Sequence, residues 1–310
     1  MNFLTHLFPT GNEWVFICLH SITKLKRMLP KQVLFEATQE VYQSQNFLGG
    51  SIITTILSIQ GLTYSFPESE HPPVFADLSM DIRQGEFVSV IGASGCGKST
   101  LFKTIAGLLE PTHGKIIIHS NSSSSTRLGQ IAYMPQQDLL LPWRTVLDNC
   151  LLPWEIKARF SKQQTISHIR KMLSHFGLAD VEQAYPHELS GGMKQRVAFL
   201  RTLVAGGGAG LMLLDEPFGA LDAMTKREIH RWLLELWDEL GQTVMLITHD
   251  LEEALLLSDR IYLLSGGVHS ELQEIVVDLP RPRHYKLNYE PRFIALREEL
   301  ERRLYAAHTF

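Results

Sequence analysis

The stretch that decides the fold is Phe87-Val-Ser-Val-Ile91-Gly92-Ala93-Ser94-Gly95-Cys96-Gly97-Lys98-Ser99-Thr100. Phe87–Ile91 predicts a buried strand, and a helical pattern follows Thr100. Between them, Gly92 to Ser99 fits the spacing G-x-x-x-x-G-K-[ST]. A glycine-rich turn running into a helix start points backbone N–H groups at an anion. Lys98 adds a point charge for the β- and γ-phosphates, and the Ser99 hydroxyl suits Mg²⁺. The competing dinucleotide fingerprint G-x-G-x-x-G fails, because Gly95 and Gly97 are followed by Thr100 rather than glycine. Gly92, Ala93, Ser94, Gly95, Cys96, Gly97, Lys98, Ser99 and Thr100 are therefore the expected phosphate-binding residues.

Outward from this loop, short apolar runs alternate with helical periodicity, which argues for α/β with a largely parallel sheet. The buried strands expected are Phe87–Ile91, Ile131–Met134, Leu211–Leu214, Thr243–Ile247 and Arg260–Leu264. Leu57–Leu62 and Leu78–Ile82 are half-polar and read as an antiparallel edge layer. Ile229, Trp232, Leu233, Leu236, Trp237 and Leu240 mark one helix face, with a stop at Gly241. Ile166, Ile169, Met172, Leu173 and Phe176 mark another, ending at Gly177. The strand-poor stretch 139–189 reads as a helical insertion. A last helix is expected from Pro291 to about Tyr305, packed on the domain or regulatory. The prolines beyond Pro280 exclude that segment from a sheet interior.

Two further sites carry chemistry. Leu211-Met-Leu-Leu-Asp215-Glu216 is an apolar strand ending in two carboxylates. Behind a phosphate loop, Asp215 can hold Mg²⁺ through water, and Glu216 can orient or deprotonate an attacking water. Ser190-Gly191-Gly192 opens a helix. It offers N–H groups and a hydroxyl to an anion, and it equally suits an ordinary helix cap.

The order of these motifs resembles that of the ATP-binding cassette family, with residues 56–270 following it throughout. Leu140-Leu-Pro-Trp143, the methionine in Leu189-Ser-Gly-Gly-Met193, Pro217-Phe-Gly-Ala-Leu-Asp222 and Asp278-Leu-Pro-Arg-Pro-Arg283 resemble its nitrate, sulfonate and taurine importer subfamily. The resemblance implies an α/β fold: a P-loop NTPase (RecA-like) core with an antiparallel β layer and an inserted helical subdomain at about 139–189. It implies ATP and Mg²⁺ as ligands, and hydrolysis of ATP coupled to uptake of a small solute. It further implies that Gln136 touches Mg²⁺ and relays to a membrane subunit, and that His249 meets the γ-phosphate. Asp222 would cross to a partner subunit, and Phe66, before Tyr64, would stack on adenine. The implied partners are a second cassette, membrane permease subunits and an extracytoplasmic solute-binding protein, which places the chain on the cytoplasmic face of the inner membrane.

Residues 1–50 have no family counterpart, the glycine loop 206–210 is longer and more glycine-rich than the family pattern, and the serine-rich loop 121–126 is atypical of it. Residues 1–50 are set apart as an extension and 271–310 as a tail.

The 310 residues carry 29 Lys+Arg against 33 Asp+Glu, a net charge of −4, which gives no electrostatic footprint for nucleic acid. A soluble cassette ATPase acting on nucleic acid or ribosomes is the alternative, but such relatives carry paired cassettes or long coiled coils. The three cysteines (Cys18, Cys96, Cys150) lack metal-ligand spacing and read as free thiols in a reducing compartment. No run of 18 apolar residues is present, as a spanning helix requires. Trp14–Ile22 is too short to span, with a membrane-surface anchor as its minority reading, and no signal-peptide pattern surrounds it.

Overall fold

The computed structural model describes residues 55–67, 72–118, 127–156, 161–206, 210–240, 242–266 and 271–308. Residues 1–50 with Cys18, the serine run, the centre of the glycine loop and Gly241 lie outside them.

In chain order the elements are β1 (Thr55–Tyr64), β2 (Phe75–Arg83), β3 (Phe87–Gly92), α1 (Lys98–Ile105), β4 (His113–Ile118), β5 (Ile131–Met134), α2 (Val146–Ile156), α3 (Lys162–His175) and α4 (Gly191–Gly206). They continue with β6 (Leu211–Asp215), α5 (Ala223–Leu240), β7 (Thr243–Ile247), α6 (Leu251–Leu257), β8 (Arg260–Leu264), β9 (Leu272–Val276) and α7 (Pro291–His308). The main sheet has the order β5-β6-β7-β3-β8-β9, and a smaller one runs β2-β1-β4. All pairs of the main sheet are parallel except β8 with β9. The smaller sheet is antiparallel.

Strands β6, β7 and β8 are buried at every position, which is why they read as unbroken apolar runs. Their side chains alternate between two cores. Leu211, Leu213, Met245 and Ile247 meet the small sheet and α1, while Met212, Leu214, Val244 and Leu246 meet the helices. Asp215 continues the first series, so its carboxylate belongs to the face that carries α1.

Two strands escape the sequence pattern. β4 is largely exposed, and β9 buries only Ile275. An edge strand that buries so little shows no alternation to read. Because β9 pairs with β8, the sheet continues past residue 270, into the segment set apart as a tail.

Arg260 pins the two sheets together. Its guanidinium forks onto Glu86 at 2.5 and 2.8 Å and donates to the Asp81 carbonyl at 2.7 Å. Both charged residues are buried, at 3% and 8% exposure, so removing Arg260 would leave the Glu86 carboxylate buried without its cation.

The C-terminal segment packs on the cassette. Phe293 and Leu300 of α7 sit in a core with Leu255, Ile261 and Leu263. The Pro-Arg-Pro-Arg sequence serves as an external cap. Arg283 donates to the Leu255, Ser258, Val277 and Leu279 carbonyls, and Arg281 to Leu257 and Asp259. Carbonyls that the end of α6 leaves without helical partners thus gain cationic donors.

Candidate functional site

Four parallel neighbours end at one edge. Met134 pairs with Leu214, Asp215 with Ile247, and Ile247 with Val90. The loops after β3, β5, β6 and β7 therefore emerge side by side, where open α/β sheets place their ligands. Those loops hold Gly92–Thr100, Gln136, Glu216 and His249.

The phosphate loop is shaped by its glycines. Gly97, with φ 100° and ψ 7°, is the residue before α1, and a Cβ there would lie 2.8 Å from Val74. A Cβ on Gly92 would lie 2.4 Å from the Leu264 carbonyl oxygen, which is backbone and cannot yield. Lys98 is 8% exposed and donates its ammonium to the carbonyls of Gly92 at 2.9 Å and Ala93 at 2.6 Å. The loop is thus folded around the Lys98 ammonium. Burial pushes the Cys96 thiol up, against the pull of Lys98, so this cysteine is held as the thiol.

Asp215 is 1% exposed, and its Oδ1 is buried without a hydrogen-bond partner. Burial raises its carboxyl above the ordinary range, and the Ser99 hydroxyl, Lys103 and Lys98 pull the other way. An unpartnered carboxylate oxygen beside a hydroxyl is an unmet demand for a cation. With the Gln136 amide the donors are all oxygen, which suits Mg²⁺. Among the described residues no three His, Cys, Asp or Glu side chains cluster as a metal site.

Glu216 stands between the other two. Gln136 Nε2 donates to its Oε2 at 3.0 Å, and His249 Nδ1 lies 3.6 Å from its Oε1. Glu216 adopts φ 49°, the left-handed region that a side chain enters at a cost. Three bonds hold it there. Its N–H donates to the Ile247 carbonyl at 3.0 Å, and its carbonyl accepts from Gln195 Nε2 at 3.0 Å and from the Gly219 N–H at 3.3 Å. Gln195, on α4, has no part in the sequence reading, although it lies three residues beyond Gly192.

The second constellation lies apart. Ser190 and Gly191 are exposed, and nothing lies within 4 Å of a Cβ built on Gly191. The Ser190 hydroxyl accepts from the Met193 N–H at 3.3 Å. That is a helix cap, yet the hydroxyl keeps its proton to donate, so the two readings of this motif are compatible. Asp222 is exposed and caps α5, accepting from Met224 and Thr225 N–H at 3.0 Å each. The Thr225 hydrogen bonds hold its carboxyl below the usual range. Among the described residues, no hydrogen bond or ion pair joins Ser190–Gly192 to Gly92–Thr100.

Phe66 is 53% exposed and meets Tyr64 edge-on, with ring centroids 5.3 Å apart. Tyr64 is 4% exposed and packs toward Phe75, which leaves Phe66 as the ring with a free face.

A polar chain that the sequence did not reveal runs from the His249 loop to the C-terminal segment. The Thr248 hydroxyl donates to Glu253, and Lys226 reaches Asp250 at 2.8 Å and Glu253 at 3.3 Å. His230 Nε2 lies 2.7 Å from Glu253, and its Nδ1 is 2.5 Å from the Tyr285 hydroxyl.

A family model described as ABC transporter matches residues 75–219. The chain is 41% identical over 238 residues to the formylaminopyrimidine import ATP-binding protein ThiZ of Halalkalibacterium halodurans, covering 76% of this chain and 92% of that one. It is 38% identical over 257 residues to the nitrate import ATP-binding protein NrtD of Synechococcus elongatus, covering 80% and 91%. Among solved structures, the dimeric post-hydrolysis state of the ATP-binding cassette MJ0796 bound to ADP and Pi matches with a TM-score of 0.64 and 30% identity, covering 72% of this chain and all of that one.

Proposed function

The chain belongs to the ABC transporter family of ATP-binding cassettes, and from that premise we propose that it hydrolyses ATP to power import of a small solute through separate membrane subunits. The single observation that supports this best is the alignment of Lys98, Asp215, Glu216, Gln136 and His249 along one sheet edge. Gly92–Thr100 hold the phosphates, and Phe66 stacks on the base. Ser99, Asp215 and Gln136 would hold Mg²⁺, which when bound offsets charge on the phosphate oxygens. Glu216 takes the proton of the attacking water as the new P–O bond forms and the bond to the ADP oxygen breaks. Gln136 holds one carboxylate oxygen in place, and His249 presents its imidazole beside the other.

Ser190–Gly192 and Asp222 serve a second copy of the cassette, each nucleotide lying between the phosphate loop of one chain and the signature of the other. The γ-phosphate bridges two helix N-termini, and its loss opens the pair.

The face toward the permease is the segment after Gln136. Leu139, Trp143 and Ile156 are 58%, 71% and 79% exposed. Leu139 adopts φ 43°, and Arg201 of α4 clamps the Asp138 and Leu139 carbonyls at 2.7 and 2.8 Å. A push on this apolar surface is therefore felt by the helix that carries the signature. Among the described residues no helix is long and apolar enough to cross a membrane, which suits peripheral attachment to the cytoplasmic face. An extracytoplasmic binding protein would deliver the solute. Relatives named for formylaminopyrimidine, nitrate and taurine import favour a small polar solute of that range.

The test is affinity capture of the Glu216→Gln chain, with ATP, from detergent-solubilised membranes. Recovery of a multi-span membrane protein is expected. Recovery with ribosomes or nucleic acid, or from the soluble fraction without a membrane partner, would replace the importer reading with a soluble ATPase.

A further inference from the structure

Away from the nucleotide edge, α5, α6 and the segment after Pro282 enclose a cavity of about 530 Å³. Its charge runs against that of the chain, which is net −4. Arg227, Arg231, Arg283 and Lys286 line it, with Glu228 as the sole carboxylate. Arg231 and Lys286 are exposed and make no ion pair among the described residues, and Arg227 lies over the Tyr285 ring, 5.2 Å from guanidinium carbon to centroid. Arg283 is 6% exposed, and its hydrogen bonds go to backbone carbonyls rather than to a carboxylate. Burial and the neighbouring Arg281 lower its pKa to about 10, against the pull of Asp259. The cavity walls also include Leu234, Leu256 and Tyr285. Apolar walls and several convergent cations in a space of this size match a site for a small molecule.

We propose that this cavity binds a small organic anion with an apolar body and a carboxylate, sulfonate or phosphate head, and that its occupancy bears on ATP turnover. The coupling follows from Tyr285. Its hydroxyl meets His230, His230 meets Glu253, and Glu253 accepts from Thr248, the residue before His249. A ligand that shifts Tyr285 would move the support of the His249 loop. This coupling rests on the ATPase reading; the binding itself does not.

Isothermal titration of the full chain with p-toluenesulfonate tests the site. Saturable binding with one site per chain is expected, weakened at least tenfold in an Arg231→Glu/Lys286→Glu double variant and absent for the neutral p-toluenesulfonamide. The double variant is checked for an unchanged melting temperature, and Arg231→Gln serves if it fails to fold. Benzoate and phenyl phosphate identify the preferred head. Binding that survives charge reversal, or that disappears in Lys98→Ala, would overturn the proposal, the latter by placing the anion on the phosphate loop. No saturable binding of any of the three would overturn it equally. ATPase assayed at saturating Mg-ATP with the sulfonate is expected to change at least twofold. Binding with unaltered turnover would overturn the coupling and leave the site.

Discussion

The phosphate loop and the Ser190–Gly192 signature are both helix N-termini built from serine and glycine, yet the fold treats them oppositely. The first is open only at its tip, where Ser94 and Gly95 are exposed, and is closed beneath it. Lys98 is 8% exposed, Asp215 is 1% exposed, and Gly92 is walled by the Leu264 carbonyl. The second is open, with Ser190 and Gly191 facing outward and no contact near Gly191. An enclosed site can bind alone, because its donors are already aimed and shielded from water. An open helix end binds an anion weakly until something covers it. On the proposed reading, one half-site is self-sufficient and the other gains strength only against a partner. Substitutions in the two halves should separate binding from turnover.

The largest effect belongs to the enclosed half. Glu216→Gln keeps the shape and the Gln136 contact but removes the proton acceptor. Turnover is expected to fall by about 10³-fold, within the range for a general base, with ATP affinity retained. Steady-state hydrolysis at the native rate would remove Glu216 from that role. Lys98→Ala should instead lose ATP affinity, and equilibrium binding of a fluorescent ATP analogue distinguishes the two.

Next comes the open half. Gly192→Asp places a carboxylate where a phosphate of the partner's ATP would sit. Single-chain ATP affinity is expected to stay within threefold of native. ATPase should fall about 100-fold, the scale of losing a preorganised donor to a transferring phosphate. The ATP-dependent dimer formed by Glu216→Gln should vanish when Gly192→Asp is added, as read by analytical ultracentrifugation. Loss of single-chain affinity would mean that the signature belongs to the same chain's nucleotide, and the contrast between the halves would fail.

A smaller effect is expected at Phe66. An aromatic face under a base is worth about 1–3 kcal/mol, so Phe66→Ala should weaken ATP roughly tenfold or more while leaving Kd for inorganic triphosphate unchanged. An equal loss for both ligands would place Phe66 in the fold rather than under adenine. Tyr64→Ala should lower Tm, since that ring is 4% exposed.

What the sequence reveals follows from burial. Strands β6, β7 and β8 are buried at every residue and read as unbroken runs, while β4 and β9 bury too little to leave a pattern. Asp215 and Glu216 are legible because carboxylates at the end of an apolar strand demand an explanation. The supports of the site are not. Gln195 reaches the Glu216 carbonyl from 21 residues away, and His230 meets Tyr285 across 55. Neither residue type, nor its local spacing, announces such a contact, because each is made by packing between elements rather than within one.

Gln195 offers the finest test of the contrast, since it joins the halves. It sits on the helix that opens with Ser190-Gly191-Gly192 and holds the backbone of Glu216, the proposed base. Glu216 at φ 49° needs its supports, because a side chain in that region costs about 1–3 kcal/mol. Removing one hydrogen bond of about 1 kcal/mol should not release it entirely, since the bonds to Ile247 and Gly219 remain. Gln195→Ala is therefore expected to lower kcat roughly three- to tenfold and to leave KM for ATP within twofold, consistent with a residue that positions rather than binds. Adding Gln195→Ala to Glu216→Gln should cost nothing further in turnover, because the base it positions is already gone. A rise in KM with unchanged kcat would show that α4 serves nucleotide binding directly, and the boundary between the two half-sites would then have to be drawn through α4 itself.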